Sequence, residues 1–99
     1  MNLEAAGVVL EYRPLALNEV ETALVAALED GAPRVTLDLD ALKTLDSEAV
    51  RGLITLLRRS RDFSGTLALR TTSPDIRRTL EVMALDRLFP IITAAEVAP

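Results

Sequence analysis

Two short stretches hold the residues whose types and spacing could do chemistry. The first, Asp40 to Glu48, gathers Asp40, Asp46 and Glu48 around the hydroxyl of Ser47; the second, Thr71 to Asp75, carries Thr72, Ser73 and an acid. Ser47 precedes a run with helical apolar spacing, so it is expected at, or one residue from, the N-cap of a helix. There it would face unpaired backbone N–H groups and the positive end of the helix dipole, an environment that stabilises a phosphate as it does any anion. A serine at that place can also do nothing more than cap the helix. Residue type and position alone leave both roles open.

What the chain lacks narrows the field. Cysteine and histidine are both absent, which removes a disulfide framework, zinc–thiolate and imidazole metal sites, thiol catalysis and any hydrolase built on a histidine base. No glycine-rich phosphate loop is visible and the acids show no catalytic pairing, so no catalytic residue, cofactor or metal ligand is expected and the chain does not read as an enzyme. The net charge of −4 argues against direct nucleic-acid binding, because an acidic domain gains little from counterion release. Arg58, Arg59, Arg61, Arg77 and Arg78 cluster on two predicted helices and read as solvated faces. Met1-Asn2-Leu3-Glu4 does not begin a signal peptide, and no apolar run approaches the roughly 18 residues of a membrane span. A cytoplasmic protein without membrane insertion is the expectation.

The elements that must position Ser47 follow from periodicity and punctuation. Apolar residues make up 49% of the 99 residues, with 3% aromatic and no tryptophan, so a core of Leu, Val, Ile and Ala in one domain over 1–99 is expected. Val8 to Tyr12 reads as a strand between Gly7 and Pro14, and Met1 to Ala5 as a weaker one. Asn18 with Glu21 forms a capping-box pattern, Val20, Ala23, Leu24, Ala27 and Leu28 recur at helical spacing, and Gly31 with Pro33 stops the helix. Val35 to Leu39 is the next strand, and Val50, Leu53, Ile54 and Leu57 stripe the helix that Asp46-Ser47-Glu48 opens. Thr66 to Arg70 is a strand. Ser73-Pro74-Asp75 then starts a helix with Ile76, Leu80 and Met83 on its apolar face. Leu88 to Ile92 begins a last strand, and Thr93 to Ala98 suits a final helical turn. Strands alternating with helices in this way imply an α/β domain with a mostly parallel sheet.

The run Leu37-Asp38-Leu39-Asp40-Ala41-Leu42-Lys43-Thr44-Leu45-Asp46-Ser47 resembles the centre of the STAS family of anti-sigma factor antagonists. Ser73-Pro74-Asp75-Ile76-Arg77-Arg78 and Ala84-Leu85-Asp86-Arg87-Leu88-Phe89-Pro90-Ile91 resemble its C-terminal part, in the same order and at similar spacing. The resemblance implies a STAS-like single domain, a mixed, mostly parallel sheet of four to five strands with helices mainly on one face. It further implies phosphorylation of Ser47 by an anti-sigma factor with protein kinase activity, which binds the unphosphorylated form, and reversal by a PP2C-type phosphatase. Asp46, Glu48, Ala49 and Val50, with Thr72 and Ser73 of the second loop, would form the partner surface. Glu48 and Ala49 stand where family members commonly carry Ser or Thr and then Gly, and Arg13-Pro14-Leu15-Ala16 replaces a Gly-x-Leu-Asp turn. The alternative that these replacements keep open is an unphosphorylated STAS interaction subunit of a lipid-transport ABC system or another signalling assembly.

Overall fold

The computed structural model describes residues 7–93. Their order is β1 (Val8–Glu11), α1 (Leu17–Glu29), β2 (Arg34–Asp38), α2 (Ser47–Arg61), β3 (Thr66–Thr71), α3 (Pro74–Val82) and β4 (Ile91–Thr93), with 3-10 turns at Pro14–Ala16 and Leu85–Arg87. Each strand pairs in parallel with the next, so the sheet runs β1-β2-β3-β4. Every crossover steps the same way across the sheet. Because such crossovers are right-handed, α1, α2 and α3 must lie on one face. All pairings among the described residues are parallel, and the expected N-terminal edge strand at Met1 to Ala5 lies outside them, as do residues 94–98 of the expected last turn.

Register aligns Val8, Val35 and Leu67, and then Leu10, Leu37, Leu69 and Ile91. With the two-residue period of a strand, these residues point together toward the helices. Val20, Leu24 and Leu28 of α1, Leu53 and Leu56 of α2, and Ile76 and Leu80 of α3 close over them in one core. The opposite face carries Thr36 and Ala68 beside an ion pair between Arg70 and Asp38, Nη1 to Oδ2 3.6 Å.

Several local expectations shift by a residue or a turn. Asn18 does not cap α1. Pro14 at the head of the 3-10 turn, closed by Ala16 N–H donating to Arg13 O at 3.0 Å, has already turned the chain, and Ala16 stands at the cap without a side-chain bond. Glu21, freed from the capping box, pairs instead with Arg59 of α2 at 3.5 Å. The Gly31 stop is as expected: its φ of +88° is one that residues with a Cβ rarely adopt, and Ala32 N–H reaches back to Ala27 O at 3.0 Å. The buried stripe of α2 runs through Ala49, Leu53, Leu56 and Ser60, leaving Val50 and Ile54 half-buried at its edge. Met83 is the C-cap of α3 and 44% exposed, outside the apolar face expected for it. β4 begins only at Ile91; Leu85–Arg87 form a 3-10 turn where the backbone of Ala84 is left-handed, φ 59°.

Candidate functional site

The site is built at the carboxyl ends of β1, β2 and β3. Asp46, not Ser47, caps α2: its backbone is extended, φ −85° and ψ 177°, and its Oδ1 accepts from Ala49 N–H at 2.9 Å. An aspartate at the cap satisfies one of the orphan donors of the first turn and matches the dipole. Ser47 is therefore the first residue of the helix proper. It is exposed, between exposed Asp46 and Glu48, and its hydroxyl makes no hydrogen bond to the described residues.

Two acids brace the loop below it. Asp38 Oδ1 accepts from Asp40 N–H at 2.9 Å, and Asp40 Oδ1 accepts from Thr72 N–H at 2.8 Å. The second bond ties the β2–α2 connection to the β3–α3 connection across 32 residues of sequence. Ser73 caps α3 through Oγ, accepting from Ile76 N–H at 3.2 Å, so its oxygen is engaged where that of Ser47 is not. Thr72 is exposed beside it. The fold thus brings the two loops singled out in the sequence to one end of the sheet. Val50 is half-buried and Ala49 is 2% exposed, so Ala49 belongs to the wall of the site more than to its surface.

Tyr12 was legible only as the end of a strand. Fully buried, it crosses from β1 to donate its hydroxyl to Ala49 O at 2.6 Å, pinning the first turn of α2. A Cβ at Gly52 would overlap that hydroxyl and lie 3.4 Å from Leu17 Cδ1, which explains a glycine inside a helix. A mid-helix glycine is legible in the sequence as a mark of close packing on the sheet; that its neighbours are Tyr12 and Leu17 is decided by the fold. Between the Tyr12–Ala16 segment and the β2–α2 loop opens a groove of about 550 Å³, with Tyr12, Leu15 and Ala16 on one side and Leu42, Asp46 and Glu48 on the other. Leu15 is 100% exposed at its lip.

Burial, and then the charge of Asp46, push the Tyr12 phenol up from 10.0 to about 12. The unfolded chain releases this proton first, near pH 10. The group therefore leaves stability unchanged below that pH and subtracts from it as pH rises from about 10 toward about 12. The chain has one tyrosine and no tryptophan, so phenolate absorbance reports Tyr12 alone. The expected midpoint is about 12 in the folded chain and about 10 in denaturant; a folded midpoint near 10 would mean the hydroxyl is not held in the core.

In the described residues a parallel sheet carries its three helices on one face, with an exposed serine at the head of the second. The family model described as "Mlab, STAS domain" matches residues 3–93, and the chain belongs to the STAS domain family. It is 29% identical over 80 residues to a protein of Bordetella bronchiseptica named putative anti-sigma factor antagonist BtrV, covering 81% of this chain and 69% of that one. Among solved structures it is similar to an anti-sigma factor antagonist from Mycobacterium paratuberculosis, with TM-score 0.60, 25% identity, and 87% and 77% of the two chains covered. A putative anti-sigma factor antagonist from Thermotoga maritima shares the fold at TM-score 0.63 and 20% identity, over 92% and 78%. No helix among the described residues is long and apolar enough to cross a membrane.

Proposed function

We propose that the chain is a cytoplasmic, non-catalytic anti-sigma factor antagonist. It binds an anti-sigma factor that is also a protein kinase while Ser47 is unmodified, is released when that kinase phosphorylates Ser47, and is restored by a PP2C-type phosphatase. The observation that carries the reading is the free, exposed hydroxyl of Ser47 on a helix that Asp46 already caps. A serine with no folding role, in a family with relatives named as antagonists, fits an acceptor better than a cap. Asp46, Glu48, Val50 and Thr72 then form the contact surface around it, and the adjoining groove with Leu15 offers the apolar area that polar loops lack.

A second reading is favoured by one feature. Glu48 is exposed directly beside Ser47, where it sets a negative charge in the path of a kinase and its nucleotide. Under that reading the domain is a STAS interaction subunit of a lipid-transport or other signalling assembly. Incubation with the kinase-type anti-sigma factor and ATP separates the two. One phosphate per chain, lost in Ser47→Ala, is expected; label that survives Ser47→Ala moves the acceptor elsewhere, and no label at all favours the subunit.

A further inference from the structure

We propose that Arg51 is the built-in counter-charge for a phosphate on Ser47. The inference rests on Ser47 being the acceptor and states what the same helix does with the group once it is there. Ser47 and Arg51 are four residues apart on α2, both exposed. That spacing puts them one turn apart on one face, with Cβ atoms about 5–6 Å from each other, well within the reach of a phosphoserine and a guanidinium. An acid N-terminal to a base at this spacing is also the favourable orientation.

The surroundings leave few other partners. The Ala49 amide, a donor that an anion at this terminus would compete for, is occupied by Asp46, while Tyr12 holds the Ala49 carbonyl from the other side. Asp46 and Glu48 flank the hydroxyl, and a phosphate adds about −1.5 to −2 charges to them. Lys43 and Arg13 lie on the groove wall with those acids, but Lys43 stands on the loop and Arg13 follows β1, paired with Glu11 at 3.9 Å, and neither is on the helix face that Ser47 shares.

Arg59, two turns beyond Arg51, pairs with Glu21 and Asp62 and lies over the Phe63 ring, whereas no ion pair engages Arg51 among the described residues. Arg58, Arg59 and Arg61 occupy the last turn, where the helix dipole favours cations. Arg51, near the opposite end, gains nothing from the dipole. Glu48, three residues before Arg51, is the anion already within a turn of it and makes no ion pair with it among the described residues; a phosphate at position 47 adds a stronger, roughly doubly charged anion at the i,i+4 spacing. Phosphorylation then draws the guanidinium back along α2, so that one modification both adds negative charge at Ser47 and removes a free cation from the adjacent surface.

The test uses the full chain with phosphoserine introduced at position 47 during translation, so it needs neither kinase nor partner. A guanidinium against the phosphate favours its dianion. Phosphorus NMR titration should therefore give a second phosphate pKa about half a unit lower in the parent than in Arg51→Gln, an about threefold change in the protonation constant. The difference should shrink at high salt, and Arg51→Lys should restore part of it. Equal titrations in the parent and Arg51→Gln overturn the pairing, as does an equal shift in Arg58→Gln, which would mean a diffuse field of the helix face. Either result leaves the acceptor role of Ser47 standing, and failure of enzymatic labelling in turn leaves the pairing standing.

Discussion

Under the proposed function, Ser47→Asp is expected to bind the anti-sigma factor partner about 150-fold more weakly than the parent, a loss of about 3 kcal/mol, while Ser47→Ala binds as the parent does. The folded domain has little reason to register either change. Residue 47 is exposed in the first turn of α2, where Asp46 already supplies the cap. An added acid there gains about 0.3–1 kcal/mol from the dipole and a few tenths from Arg51 four residues on, offset in part by the charges of Asp46 and Glu48 beside it. A partner closing over a neutral hydroxyl meets different terms, because it must strip water from a new charge that already has two acids beside it. Titration calorimetry of the three proteins, with melting temperatures alongside, makes the comparison. Unchanged affinity for Ser47→Asp would take Ser47 out of the interface.

Gly52→Ala should destabilise the domain by about 2 kcal/mol, against the gain of up to about 1 kcal/mol that this change usually brings inside a helix. The added methyl runs into the Tyr12 hydroxyl, and the ring cannot retreat because Tyr12 is fully buried and bonded to Ala49 O at 2.6 Å. Tyr12→Phe alone should cost only about 1 kcal/mol, since the Ala49 carbonyl keeps its place in the helical ladder. With the oxygen gone the methyl has room. The double variant should accordingly lose less than the sum of the two single changes, by about 1 kcal/mol or more in denaturant melts. Strict additivity would show that the two residues do not share the space. Because the Tyr12 hydroxyl that the methyl displaces pins the first turn of α2, the single Gly52→Ala change is also expected to weaken partner binding through misplacement of Ser47.

Local chemistry made much of this protein readable without its fold. The alternation of strand and helix, the Gly31 stop and the Ser73-Pro74-Asp75 helix start are written in side chains that act on their own backbone within a few residues. The structure places them as expected. Asp46-Ser47 was legible as a helix head for the same reason, but not which of the two is the cap. Both can accept the N-terminal amide, and the extended backbone at Asp46 decides it. Asn18 is the converse case: a good local signal set aside because Pro14 had already begun the turn.

What only the tertiary structure decided are the contacts that span distance in the chain. The Tyr12 bond to α2 joins residues 37 apart, and the Asp40 brace joins two loops 32 apart. No periodicity encodes such pairs, because each exists only once the sheet has set its strands side by side. The amino-acid sequence by itself determined that a serine would head a helix at the end of a strand. The fold decided that the cap is the aspartate before it, with a buried tyrosine anchoring the helix, so that among the described residues the serine hydroxyl is left unbonded.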